Sequence, residues 1–294
     1  MQGLLFALGA YVIWGCFPLF FSLLDQVPAT EVLANRIVYA CIVSLLLLAV
    51  TGTFKKALAA LRQRRNRLPS LMASITITTN WFVFIWAVGE QRVVEASLGY
   101  FITPLVSLLL GALLLKEPIN IWQKLAGWIA AVAIAYECWQ LGSLPWVSLS
   151  IAITFGLYGL VRKQQSVDSL TGLTLETLWT FPLALAYLAW QYSHFDATEV
   201  YTTQTWTLLA LSGLVTAIPL LMFASAVRSL NLNVAGFIMY INPLLQFVWA
   251  VTLLDETVQP SRYVTIVTTL VAMAIFTYGL MHSRRRKPLP VPEA

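Results

Sequence analysis

The sequence predicts an all-α integral membrane protein with ten transmembrane helices, arranged as two inverted-topology five-helix repeats. Three observations predict this fold class: the composition, a series of apolar stretches long enough to span a membrane, and a similarity between the two halves. Of the 294 residues, 59% are hydrophobic and only 11% are charged. Because soluble domains carry about 25% charged residues, we expect much of the surface of this chain to face lipid.

Ten apolar segments follow one another along the chain, each close to the roughly 20 residues that a helix needs to cross a bilayer. They cover residues 3–24, 32–51, 70–89, 94–115, 119–140, 144–163, 171–191, 204–226, 232–254 and 261–281. Lipid offers no partner to backbone N–H and C=O groups, and a helix satisfies them within its own segment. Each segment is therefore predicted to be a helix.

The lysines and arginines are distributed unequally between the two sides of these predicted spans. Of the 18 in the chain, fifteen fall on the side of the N-terminus, two on the opposite side, and Arg36 within a span. Cytoplasmic loops are enriched in such residues, which predicts a multi-pass protein of the cytoplasmic (inner) membrane with both termini in the cytoplasm. Topology accounts for the basic excess, so no nucleic-acid partner is expected.

The second half of the chain repeats the first. Residues 86–117 align without a gap on residues 225–256, with nine of 32 positions identical, including Pro104 with Pro243. This similarity predicts a first repeat at 1–141, a second at 142–283 and a basic cytoplasmic tail at 284–294. An odd number of spans per repeat orients the two repeats oppositely, an architecture typical of secondary transporters.

Arg36 is the charge that most needs an explanation, because it lies about 8 Å into the second predicted span at 1.5 Å per residue. Charges within a span usually face a cavity and serve function; the alternative is that Arg36 extends to the membrane interface. In the aligned repeat, Arg36 falls on Glu176. We expect the two to face a shared cavity, where they would bind both ends of a zwitterion or Glu176 would carry a proton. The alternative for Glu176 is an interfacial position near Arg162.

Other candidates for solute binding are polar or aromatic residues deep within predicted spans. They are Asn80, Trp81, Tyr100, Tyr158, Trp179, Tyr240 and Asn242. Pro104 and Pro243 are candidate hinges, because proline leaves a helix carbonyl unbonded and bends the helix axis. The alternatives are ordinary helix packing for the aromatic residues and static kinks for the prolines.

No catalytic, metal or cofactor site is predicted. Three cysteines and two histidines show no metal-ligand spacing, and the chain has no phosphate-binding loop of the GxxxxGK[ST] kind and neither HExxH nor GxSxG. An enzyme is therefore not expected. A non-transporting membrane sensor or assembly protein remains the alternative to a transporter.

Several stretches make the chain resemble the drug/metabolite transporter superfamily, in its EamA branch, and most of all the RarD group. They are AYVIWGCFPLFF, NRIVYA, NWFVFIWAV, EASLGYFITPLVSLLLG, YGLVRK and TGLTLETLW. The resemblance runs nearly end to end. It implies ten spans in two inverted repeats, mostly outward transport of small solutes, and no ATP cofactor. The family's motif positions would include Arg36, Asn80, Trp81, Glu95, Gly99, Tyr100 and Glu176.

Together, these patterns predict a secondary transporter that exports amino acids, related metabolites or amphipathic drugs by alternating access. The expected partners are a small-molecule solute and the lipid bilayer, and a homodimer is left open.

Overall fold

A computed structural model describes residues 2–141, 145–194, 201–255 and 260–285. Within these residues the chain forms ten helical units, here called spans 1 to 10, and the predicted all-α fold class is confirmed. In chain order they are Gln2–Gly15 with Phe17–Phe21 and the 3-10 turn Ser22–Leu24, Ala29–Val50, Arg64–Gly89, Val93–Leu113, Ile121–Leu141, Trp146–Gln164, Ser169–His194, Thr203–Ser229, Leu232–Ile238 with Ile241–Thr252, and Pro260–Arg285. The tail residues 286–294 lie outside the described residues.

Six of the ten spans are long and apolar enough to cross a membrane by length and composition alone. These are spans 1, 2, 3, 4, 8 and 9, and a shorter apolar stretch, Tyr263–Gly279, lies in span 10. Spans 6 and 7 are less apolar because they bury polar residues inside the bundle, among them Arg162 and Glu176. The chain is thus a multi-pass helical membrane protein.

One short helix was not predicted. Phe54–Arg62 connects spans 2 and 3 and packs on span 7. Ala57 and Ala60 are buried on one face, while Lys55 and Lys56 are exposed. The segment is too short to span a bilayer, and its one-sided pattern fits a helix lying along the bundle end.

The packing of the spans has an internal symmetry that relates each span to the one five places later. Spans 3 and 4 both pack on span 6. In the same way, spans 8 and 9 both pack on span 1. Spans 2 and 7, 4 and 9, and 5 and 10 pair with each other. Such an exchange of partners fits two repeats of five helices; their opposite orientation and the division between residues 141 and 142 stay predictions.

Spans 1 and 9 are both interrupted, and each has a proline just after its break. Span 1 breaks at Cys16, and Pro18 has no N–H to offer the carbonyl of Trp14; the side-chain amide of Gln246 donates to that carbonyl instead, at 3.4 Å. Span 9 breaks at residues 239–240, and the backbone N–H of Asn242 bonds the carbonyl of Met239, at 2.9 Å. Breaks at this depth are tolerated where protein covers them.

The two candidate hinges differ in local structure. Pro243 follows the break in span 9, whereas Pro104 lies within an uninterrupted helix, Val93–Leu113. Immediately before Pro104, the hydroxyl of Thr103 donates to the carbonyl of Gly99, at 2.9 Å. A hinge role for either proline stays a prediction.

Candidate functional site

A small cavity lies in the middle of the bundle, where spans 1, 2, 3, 4, 6 and 9 meet. Its lining consists of Trp14, Phe17, Arg36, Asn80, Trp81, Phe84, Tyr100, Phe155, Asn242 and Gln246. None of these side chains is more than 7% exposed, and the cavity volume is about 10 Å³, which is room for roughly one water molecule. The site is therefore closed to both sides.

Arg36 holds its guanidinium against aromatic rings. The residue is 1% exposed, which rules out the interfacial position considered for it. Its carbon Cζ lies 4.5 Å from the ring centre of Trp81 and 5.2 Å from those of Phe17 and Phe21. Its Nε donates to the hydroxyl of Thr216 in span 8, at 2.5 Å, so Arg36 also ties span 2 to span 8.

Asn80 and Tyr100 meet at the cavity wall. The phenol of Tyr100 donates to Oδ1 of Asn80, at 3.4 Å, and the Asn80 amide nitrogen donates to the carbonyl of Ile151 and the hydroxyl of Thr154 in span 6. Asn80 thus has a structural role in joining span 3 to span 6. Its oxygen and the Tyr100 ring remain at the cavity.

Asn242 and Gln246 supply the polar part of the opposite wall. They lie one turn apart on span 9, and Nε2 of Gln246 donates to Oδ1 of Asn242, at 2.8 Å. Nδ2 of Asn242 and Oε1 of Gln246 are buried without a hydrogen-bond partner in the described structure. A free donor and a free acceptor therefore lie side by side.

Glu176 does not share this cavity with Arg36. Its carboxylate faces Arg162, with 3.0 Å between Nη1 and Oε1, and accepts a hydrogen bond from Tyr158, at 3.1 Å. The expectation that Arg36 and Glu176 meet is therefore not supported by the geometry, because Arg162, one turn beyond Tyr158 on span 6, is the cation nearest to Glu176. Tyr158 still contacts the cavity wall through Phe155, with ring centres 6.0 Å apart.

Trp179 and Tyr240 also lie away from the cavity. Trp179 donates its indole N–H to Ser70, at 2.9 Å, and its side chain is partly exposed. Tyr240 packs between Phe101 and Phe237. Of the nine residues predicted to bind solute, five line the cavity: Arg36, Asn80, Trp81, Tyr100 and Asn242. Solute binding by any of the nine stays a prediction.

Polar contacts close the end of the bundle that carries the basic loops, here called the basic end. Nζ of Lys163 donates to the carbonyl of Leu230, at 2.6 Å, and lies 3.5 Å from Glu117. Glu117 accepts the backbone N–H of Leu232 at the start of span 9. These contacts join the end of span 6 to the segment that links spans 8 and 9.

Asp168 begins span 7 at the same end. Its carboxylate accepts the backbone N–H of Thr171, at 2.9 Å, and lies 2.9 Å from Nζ of Lys56. Partial burial tends to raise the pKa of Asp168, but the hydrogen bond from Thr171 and the contact with Lys56 outweigh it and lower the pKa to about 2. The carboxylate thus caps the helix as an anion.

A buried carboxylate closes the opposite end. Glu31 has no exposed surface, and its two oxygens accept hydrogen bonds from Tyr192, at 2.9 Å, and Tyr201, at 3.0 Å. Burial, and then the Glu31 charge, raise the pKa of Tyr201 above its ordinary value, so this phenol stays protonated as a donor. The network links spans 2 and 7 to the residues just before span 8.

Three features were not predicted from the sequence: Gln246 in the cavity wall, Thr216 as the acceptor for Arg36, and the hydrogen bonds of Glu31. The spacing of Gln246 could have identified it, since it lies four residues after Asn242 and so shares the same helix face. No sequence pattern could have identified Thr216, because an isolated threonine in an apolar span usually bonds a carbonyl of its own helix. For metals, the part of the chain that is described contains no group of three or more candidate metal ligands.

Comparison with known proteins identifies the family. The EamA-like transporter family matches residues 1–136 and 144–278. An uncharacterized transporter of Pseudomonas aeruginosa is 39% identical, over 98% of this chain and 97% of its own. The protein RarD of Escherichia coli is 36% identical over 97% of each chain.

Two further comparisons extend this result. The uncharacterized transporter YojE of Bacillus subtilis is 38% identical, over 97% of this chain and 96% of its own. One solved chain, described as a crystal structure of a protein, has the same fold with a TM-score of 0.69 at 16% identity, covering 95% of this chain and 98% of that chain. The chain belongs to the EamA-like transporter family and resembles its RarD proteins over nearly its whole length.

Proposed function

We propose that the protein is a secondary transporter that exports small solutes by alternating access, with the central cavity as its solute site. The solute classes proposed are amino acids, related metabolites and amphipathic drugs. One relative from Pseudomonas aeruginosa is named a chloramphenicol-sensitive protein RarD, so chloramphenicol is one of the solutes to test. Membership of a transporter family favours transport over catalysis.

The observation that carries this proposal is a cavity walled by both halves of the chain and closed at both ends. Arg36, Trp81 and Tyr100 come from the first half, and Phe155 and Asn242 from the second. Movement of one half against the other would open the site to one side at a time. Lys163 and Glu117 would separate when the basic end opens, and Glu31 and Tyr201 when the opposite end opens.

The proposed setting is the cytoplasmic (inner) membrane with the basic end and both termini in the cytoplasm. Positive residues favour cytoplasmic loops, and Lys56, Lys163 and Arg228 all lie at the basic end. The sequence has no phosphate-binding loop, which favours a proton or solute gradient as the energy source over ATP.

The test is counterflow in proteoliposomes that contain the full chain and are loaded with unlabelled solute. Radiolabelled amino acids and chloramphenicol are added outside, and uptake is compared for the intact protein, Arg36→Gln and Arg228→Gln. Arg228 is the matched control, because it is exposed and donates to the carbonyl of Val167 at the basic end.

Saturable counterflow that is lost in Arg36→Gln and kept in Arg228→Gln is the expected result. Counterflow that is equal in both variants would refute the cavity as the solute site. Absence of counterflow for every solute would favour a non-transporting role for this chain.

A further inference from the structure

The charge of Arg36 has no anionic partner in the described structure. Its Nε is bonded to Thr216, but Nη1 is buried without a hydrogen-bond partner. Two carboxylates that are buried in the bundle interior are committed to other groups. Glu31 accepts from Tyr192 and Tyr201, and Glu176 faces Arg162.

Aromatic rings compensate the charge only in part. Three rings lie within 4.5 to 5.2 Å of the guanidinium carbon, which is within the range of a cation–π interaction. An isolated buried charge loses several kcal/mol of hydration, and rings have no hydrogen-bond acceptors to replace those of water. An anion placed at Nη1 would supply both a counter-charge and an acceptor.

None of the described residues that line the cavity carries a carboxylate. A positive group on a ligand would therefore lie close to the Arg36 guanidinium without any counter-ion, and like charges at such distances repel each other strongly in a buried site. Binding of a zwitterion such as an amino acid would be stabilised at its carboxylate and destabilised at its ammonium. A net negative charge on the ligand is thus favoured.

The remaining walls describe the rest of the ligand. Aromatic residues form six of the ten lining positions, and apolar walls do not replace the water around a small inorganic anion. They suit a flat apolar body, which stacks on rings with favourable geometry. The free donor of Asn242 and the free acceptor of Gln246 would accommodate one further polar group.

We propose that the cavity selects singly charged organic anions, with a carboxylate on Nη1 of Arg36 and an aromatic or other apolar body against Trp81, Phe84 and Tyr100. This inference rests on the proposed function, and it narrows the solutes of the same cavity to those metabolites and drugs that carry a net negative charge. Because the closed cavity holds about one water molecule, such a ligand enters only when one end opens.

The test uses four probes that share one phenyl ring and one three-carbon chain. They are 3-phenylpropionate as the anion, phenylalanine as the zwitterion, 3-phenyl-1-propanol as the neutral form and 3-phenylpropylamine as the cation. Binding to the purified full chain is measured by calorimetry and by quenching of tryptophan fluorescence, in chloride-free buffer and with added chloride. The variants are Arg36→Gln, Arg36→Lys and the control Arg228→Gln.

We expect 3-phenylpropionate to bind at least tenfold more tightly than each of the other three probes. Arg36→Gln should abolish that preference, Arg36→Lys should keep part of it, and Arg228→Gln should keep all of it. Thermal unfolding of each variant, followed separately, shows that a loss of binding is not a loss of folding.

Three results would overturn the inference. One is Arg36-dependent binding of phenylalanine, the alcohol or the amine that is as tight as that of 3-phenylpropionate or tighter. Counterflow of that probe would still support the proposed function. Another is no binding of 3-phenylpropionate to the intact protein. The third is competition by chloride with 3-phenylpropionate when the two anions are at similar concentrations. Such a result would mean that the site binds inorganic anions. Binding of 3-phenylpropionate without counterflow would refute transport and leave the anion site standing.

Discussion

Among the side chains that the structure describes, two arginines are buried in this bundle, and their surroundings differ. The Arg162 side chain is 1% exposed and lies 3.0 Å from the Glu176 carboxylate, with Tyr158 completing the group. Arg36 is equally buried but faces three aromatic rings and the hydroxyl of Thr216. One charge is neutralised by the fold, and the other is left with its charge available at a cavity.

The difference teaches how to separate structural from functional charges in a membrane bundle. A buried ion pair whose members neutralise each other holds two helices together, here spans 6 and 7. A buried charge that the protein leaves without a counter-ion costs free energy of folding and has to be explained by something that binds to it. Substituting the same residue type at the two positions should therefore give opposite results.

The largest expected effect is that of Arg162→Met. Glu176 would be left as a buried carboxylate without its cation, which destabilises proteins by about 3–5 kcal/mol. The measurement is the thermal unfolding temperature of the purified protein in detergent. Adding Glu176→Gln to Arg162→Met should recover a large part of the loss, because the second change removes the unpaired charge; no recovery would mean that Arg162 acts mainly through packing on Gly172.

Next in size is the effect of Thr216→Val on binding. Thr216 accepts from Nε of Arg36, and hydrogen bonds to charged groups contribute about 1.5–3 kcal/mol. Without this contact the guanidinium is less well placed, so we expect binding of 3-phenylpropionate to weaken by about tenfold or more, as 1.4 kcal/mol corresponds to a factor of ten. The control is Thr207→Val, an exposed threonine on the same span that bonds its own helix; equal losses in both would argue against a positioning role.

For Arg36→Met we expect a smaller effect on stability, opposite in sign to that of Arg162→Met. Replacing an unneutralised buried cation by an apolar side chain of similar length removes a desolvation cost, and related replacements of buried charges stabilise proteins by about 1–4 kcal/mol. Loss of the ring and Thr216 contacts offsets part of that gain, so a rise in unfolding temperature equivalent to about 1 kcal/mol is expected. A fall similar to that of Arg162→Met would show that Arg36 is a structural charge after all.

The last effect, of about the same size as that of Arg36→Met, concerns Asp168, a charge at the surface of the same bundle. Removing an N-cap side chain costs about 1 kcal/mol, so Asp168→Ala should lower stability slightly. Because folding lowers the Asp168 pKa from 3.8 to about 2, its contribution is present above about pH 4 and is lost as the pH falls towards 2. The difference in unfolding temperature between the intact protein and Asp168→Ala should therefore shrink over that acidic range; a constant difference would mean that the ionised form is not what caps the helix.

The spans could be predicted from the sequence because the bilayer imposes a length and a composition on each one separately. The helix Phe54–Arg62 was not predicted, because a short amphipathic stretch among basic residues looks like a loop until its alanines find a surface to pack on. The pairing of Arg36 with Glu176 was expected from their aligned positions in the repeats. The structure departs from it because alignment fixes position along a helix, whereas the partner of a charge depends on how far each helix rotates and which neighbour reaches it.

By itself the sequence determined the membrane environment, the spans and the repetition of the halves, and it singled out Arg36 as a charge in need of a role. These properties follow from local composition and periodicity, which each segment carries independently. Only the tertiary structure decided that Arg162 neutralises Glu176, that Gln246 and Thr216 join the site, and that no carboxylate in the described part of the chain pairs with Arg36. Those facts depend on contacts between residues as far apart as 232 positions, and no local pattern encodes which distant side chains meet.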